Sequence, residues 1–180
     1  GITNVFWDDQ GSSFDNGGMG EGYSDVWAMS ILKSPKIGLG FFVNQPNSLI
    51  RRYDINPKIY PQHITGEVHD DGEIIAGAWW DYAINLSSGM NLSIAVDSMS
   101  SLFSRSHYGL ANGPDGTEGQ VYYDILIDAL TYDDNNANLN DGTPHFTDIV
   151  NAFAAHGIYL LMNTDLVHSP WGIYNGGTPI

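Results

Sequence analysis

The chain has 180 residues, with 6 Lys+Arg against 21 Asp+Glu for a formal charge of −15, and no cysteine. That is the length of one domain or part of one, with enough chain to build a core. An acidity carried by 17 Asp and 4 Glu argues against nucleic-acid and anionic-membrane partners, the lack of cysteine excludes disulfides and thiolate-held metals, and the longest apolar run, Ile74–Trp80, is far short of the about 20 residues that cross a bilayer.

The first twenty residues, with Asp8-Asp9-Gln10-Gly11-Ser12-Ser13 and Asn16-Gly17-Gly18, read as turn chemistry. From Met19 to Lys33 apolar residues recur at helical intervals (Tyr23, Val26, Trp27, Ile31, Leu32), and Pro35 stops the run. Residues 36–62, with Pro46, Pro57 and Pro61, read as irregular, with a short strand at Gly38–Val43. Helical stripes follow at Glu67–Leu86, Asn91–Ser104 and Glu118–Leu130. After an Asp/Asn loop at Asp133–Gly142, Thr143-Pro144 is expected to open a fifth helix whose C-cap is Gly157. The pattern predicts a mainly α domain over residues 1–162, then a linker or tail over 163–180.

Three places carry more than scaffold chemistry. Glu21 and Asp25 lie four apart on one helix face, where like charges repel unless a cation faces them. Their bland reading is a pair of acids at the positive end of a helix dipole. Gly17, Gly18, Gly20 and Gly22 crowd the same turn, which calls for a close backbone approach, since glycine costs about 1 kcal/mol inside a helix. No Gly-Lys-Ser/Thr follows, so this is no phosphate loop. His69 has acids on both sides, in a stretch that also fits a solvated helix start. Arg51-Arg52 is an adjacent pair in a chain with only six basic residues; it is either surface or a bidentate carbonyl or carboxylate grip. His63, His107, His145, His156 and His168 are scattered singly and read as surface or structural residues.

Gly18-Met19-Gly20-Glu21-Gly22-Tyr23-Ser24-Asp25 resembles the segment of fungalysin-like and, more distantly, thermolysin-like zinc metallopeptidases that donates the third metal ligand. The resemblance makes Glu21 the zinc carboxylate and Asp25 the acid that holds a ligand histidine by its other ring nitrogen. Val68-His69-Asp70-Asp71-Gly72-Glu73-Ile74-Ile75 is similar to the family's Val-His helix start, which makes His69 the oxyanion-stabilising histidine. Ile50-Arg51-Arg52-Tyr53 resembles the segment whose arginine grips a substrate carbonyl; Arg51 fits the fungalysin pattern and Arg52 the spacing to Pro57. Asn140-Asp141-Gly142-Thr143-Pro144-His145 and Asn151-Ala152-Phe153-Ala154-Ala155-His156-Gly157 look like the end of the bacterial branch, so the likeness runs to about residue 160.

The resemblance implies an orthogonal helical bundle, the C-terminal lobe of a secreted zinc endopeptidase acting on polypeptides. The chain lacks the family's His-Glu-x-x-His, which counting back from Glu21 places just before Gly1 on a partner N-terminal lobe. The 180-residue chain alone is therefore expected to be inactive. In thermolysin an Asp a few residues before the histidine supports it; here Glu67 or Asp71 is left for that task. Asp133, Asp134, Asn136, Asn138 and Asp141 fit either an irregular calcium site or an Asx-rich turn, since Leu139 and His145 stand where an EF-hand needs Gly and Glu. Two competing readings are a non-catalytic, calcium-stabilised extracellular binding or assembly module on the same scaffold, and a carbohydrate surface built on Trp79, Trp80 and the tyrosines.

Overall fold

A computed structural model describes residues 2–160 and the backbone of 174–175 and 178–179. The order is α1 (Ile2–Asp9), α2 (Gly17–Leu32), β1 (Lys36–Ile37), β2 (Arg51–Arg52), α3 (Val68–Leu86), α4 (Leu92–Ser106), α5 (Glu118–Asp133) and α6 (Phe146–Ala155). Single 3₁₀ turns sit at His107–Gly109 and Leu139–Asp141, and a strand pair, β3 (Tyr174–Asn175) and β4 (Thr178–Pro179), follows. The chain is a mainly helical bundle, as its periodicity predicts. Apart from that strand pair, the tail expected from Asn163 lies outside the described residues.

Helix α3 is the axis of the bundle. Ile74, Ile75, Ala76, Ala78, Trp79, Trp80, Tyr82, Ala83 and Leu86 are all buried on it, so it is apolar around most of its circumference and is covered by α2, α4 and α6. Trp79 packs edge-to-face on Phe103 of α4 and Phe153 of α6. With Trp79 at 0 % and Trp80 at 2 % exposure, neither offers a face to a sugar, which takes both tryptophans out of the carbohydrate reading. Among the described residues no helix is long and apolar enough to cross a membrane.

The glycine crowding has a structural cause. A Cβ on Gly22 would lie 2.5 Å from the Gly72 carbonyl oxygen, and one on Gly72 would lie 2.5 Å from that of Gly18. Helices α2 and α3 therefore cross backbone to backbone, closer than any side chain allows. The start of each helix is fixed by a side-chain cap: Asn16 accepts from Met19 N at 2.7 Å, and Glu67 accepts from His69 N and Asp70 N, both at 3.0 Å.

Four local expectations are corrected. Residues 2–9 are helical, because Trp7 is buried against Phe14 and Phe6 packs on His107 and Tyr108; tertiary anchoring overrides the turn-forming Asp8 and Asp9. No strand occupies Gly38–Val43. Gly38 and Gly40 take positive φ (68° and 74°), and the strand pair is instead Lys36↔Arg52 and Ile37↔Arg51. Helix α6 starts at Phe146, because the Thr143 hydroxyl and the His145 N–H are both drawn to Asp133. The C-cap is His156, one residue before the Gly157 expected, and Gly157, at φ 75°, follows it in the left-handed conformation that ends the helix.

Candidate active site

The close crossing of α2 and α3 brings Glu21, on the second turn of α2, against His69, the second residue of α3. His69 Nε2 lies 3.4 Å from Glu21 Oε2, and both side chains are half exposed. On its other side the imidazole donates Nδ1–H to Glu67 Oε1 at 2.7 Å, a carboxylate being able only to accept. Both ring nitrogens thus face carboxylates. The bond to Glu67 holds the His69 pKa above that of a free imidazole, with the Glu21 charge adding to it and the Arg51 charge opposing it. The same contact holds the Glu67 carboxyl below its ordinary range.

Glu67, not Asp71, is therefore the partner of His69. Asp71 is 3 % exposed and accepts from Thr65 N (2.8 Å) and Gly66 N (3.0 Å). It fixes the loop that presents Glu67, so one acid holds the ring and the other holds the loop.

One helical turn beyond Glu21, the Asp25 carboxylate takes three donors from the β2 segment. Arg51 gives Nε–H to Oδ2 at 2.7 Å and Nη2–H to Oδ1 at 3.0 Å, and the Tyr53 hydroxyl reaches Oδ2 at 2.5 Å. The hydrogen bond and charge of Asp25 raise the already high Arg51 pKa further. Arg52 takes Asp54 instead, at 2.7 Å on each arm and in an exposed position, so of the two arginines it is Arg51 that joins the cluster. Tyr53 is the member that sequence reasoning passed over. The signal was present: in extended chain, residues two apart share a face, so Tyr53 had to point where Arg51 points.

The remaining singled-out residues fall elsewhere. Asp133 is taken by Thr143 Oγ1 (2.6 Å), His145 N (2.7 Å) and His145 Nδ1 (2.7 Å). Asp134 Oδ2 accepts from the Asn138 N–H, Asn138 N also donates to Asn136 Oδ1, and Asn136 Nδ2 donates to Asp141. Asp134, Asn136, Asn138 and Asp141 come together as a loop closed by its own hydrogen bonds, while Asp133 is held apart from them by Thr143 and His145. His107 and His156 are buried and structural, His63 is exposed, and His168 lies outside the described residues.

Whether zinc fits can be asked of the donors themselves. Zinc takes carboxylate oxygen readily and needs at least three protein ligands in a catalytic site. Glu21 offers one half-exposed carboxylate. Among the described residues no three His, Cys, Asp or Glu are grouped to hold a metal, so these residues fit one vertex of a zinc site. Asp25 fits the supporting role: a carboxylate has about four acceptor positions, three are filled, and one on Oδ1 is left for a ring N–H.

A family model described as fungalysin metallopeptidase (M36) matches residues 9–155. The chain belongs to the fungalysin metallopeptidase family. No curated protein and no solved structure gave a match. The matched span contains Glu21, Asp25, Arg51, Tyr53, Glu67 and His69. Fungalysin metallopeptidases are hydrolases of polypeptides and are zinc-dependent as a family, which is the chemistry that the open Glu21 carboxylate suits.

Proposed function

We propose that this chain is the C-terminal lobe of the catalytic unit of a secreted zinc metalloendopeptidase. In this reading Glu21 is the carboxylate ligand of the metal. Two histidine ligands and a general-base glutamate come from a His-Glu-x-x-His helix on an N-terminal lobe, and Asp25 receives the ring N–H of one of those histidines on its open Oδ1 position. Zinc, when bound, supplies Lewis-acid polarisation of water and of the scissile carbonyl.

The residues of this chain then divide the rest. The His69 imidazolium, held by Glu67, faces the place where negative charge develops on the carbonyl oxygen, the kind of contact that contributes about 10²–10³ in rate. Arg51 gives two of its five N–H groups to Asp25 and keeps three for substrate carbonyls or carboxylates. Helix α3 and its glycine contacts hold this geometry rigid. The Asp133–Asp141 loop enters as scaffold. With one of three ligands and no base, the 180 residues alone hydrolyse nothing.

The observation that carries the reading is the opposition of Glu21 and His69 at 3.4 Å, from helices whose approach is fixed by Gly18, Gly22 and Gly72. A peptide-hydrolysis assay of the intact protein tests it. Glu21→Gln should lower turnover by at least about 10³-fold, the loss expected when a metal-activated nucleophile disappears. Activity within tenfold of the parent would defeat the assignment.

A further inference from the structure

Asp25 is where α2 and the β2 segment are tied together. The residue is 6 % exposed, and two of the three donors to its carboxylate crowd one oxygen: Arg51 Nε–H at 2.7 Å and the Tyr53 hydroxyl at 2.5 Å, both on Oδ2. Tyr53 is itself buried, at 8 % exposure, and the one proton its phenol has to give goes to Asp25. Burial, reinforced by the Asp25 charge, pushes the phenol well above its ordinary range, so the proton stays in place at any working pH. The consequence is geometric. A carboxylate held by one guanidinium can still rotate about its last bond and take the guanidinium with it. A second donor on Oδ2, from a ring wedged in the core, removes that freedom.

We propose that Tyr53 is a positioning residue of this site: its hydroxyl sets the rotation of the Asp25 carboxylate, which keeps the one open Oδ1 position for a metal-ligand histidine and aims the three unused N–H groups of Arg51 at the substrate. This rests on the metallopeptidase reading above. Phenylalanine fills nearly the same volume as tyrosine, so the positioning role separates cleanly from packing. Because Tyr53 acts through Asp25, its effect must vanish when Asp25 can no longer perform its task.

The test uses the intact protein and three readouts. Tyr53→Phe should leave the melting temperature within about 4 °C. It should speed solvent exchange of the Arg51 Nε–H, followed by NMR with ¹⁵N-arginine, about tenfold, as a local opening does. It should weaken zinc binding, measured by chelator competition, about tenfold, the lower end for loss of an outer-shell support. In an Asp25→Asn background the same substitution should change neither exchange nor zinc affinity further. Unchanged Arg51 exchange with zinc affinity within twofold of the parent overturns the role, as does an equal effect in the Asp25→Asn background. Faster exchange in a parent that binds no zinc overturns the metallopeptidase reading, and the positioning role with it, and leaves only a clamp between α2 and β2.

Discussion

Asp25 and Asp133 are both buried carboxylates, and each takes three donors at 2.5–3.0 Å. Around Asp25 the donors come from residues 26 to 28 positions away, in another element. Around Asp133 they come from residues 10 and 12 positions away, in the loop that Asp133 itself begins. Burial works against the charge of Asp133, and the His145 ring, the Thr143 hydroxyl and the His145 N–H outweigh it, so its pKa lies below the ordinary range. Both carboxylates are held by three short hydrogen bonds, a guanidinium and a phenol at Asp25 and an alcohol, a backbone N–H and an imidazole at Asp133, and what differs most is the remainder. Each carboxylate keeps one open acceptor position on Oδ1, but the Asp25 cluster also leaves guanidinium N–H groups one helical turn from the half-exposed Glu21 and its neighbour His69. Beside its open position the Asp133 cluster leaves only one imidazole nitrogen. A carboxylate that ties distant elements together can organise a site, whereas one that closes its own loop is a staple.

That contrast breaks or holds under substitution, and the largest effect belongs to the site. His69→Ala should lower kcat of the intact protein about 10²–10³-fold, the loss of one oxyanion donor, while zinc content stays at the parent level. Loss of zinc along with activity would place His69 among the metal ligands and undo the division of roles. Asp133→Ala should do the reverse. It leaves the Thr143 and His145 donors without a partner, at a cost of about 2 kcal/mol in urea unfolding, with zinc affinity unchanged. A zinc defect in that variant would show that the staple reaches the site.

The smallest effect concerns a carboxylate with no cationic partner among the described residues. Asp128, on α5 beside Asp124 and the Gly109 backbone, has its pKa pushed up to about 6 by burial and by the Asp124 charge. A raised folded-state value means that the native chain keeps a proton the unfolded chain releases, so the stabilising contribution is complete below the ordinary value of 3.8 and is lost as pH rises through about 6. Asp128→Asn should therefore stabilise the chain by about 1 kcal/mol at pH 8, once solvent screening of a half-exposed group is allowed for, and change nothing at pH 3. A loss of stability at pH 8 would mean that Asp128 has a cationic partner after all.

Helices α2 to α6 were legible because each buries a stripe with a 3.6-residue period, and α3 most of all. Helix α1 was not, since its eight residues carry two acids and depend on Trp7 meeting Phe14, a contact that no local pattern shows. The site was legible only in part. Glu21, Asp25 and His69 stood out through motif resemblance, and the glycines predicted a close approach without naming its partner; Gly72 lies 50 positions beyond Gly22. Arg51 and Arg52 could not be separated by composition. The β1–β2 register decides, placing Arg51 opposite the buried Ile37 and Arg52 opposite the exposed Lys36. Glu67 and Asp71 were equal candidates until the cap geometry put Glu67 on the imidazole and Asp71 under the loop.

The central claim is that Glu21 is a metal ligand and its neighbours are not. Elemental analysis of the intact protein after dialysis against trace zinc tests it directly. The account predicts one zinc per chain in the parent and in Asp133→Ala, and none in Glu21→Gln with the fold retained. A full equivalent of zinc in folded Glu21→Gln would contradict it.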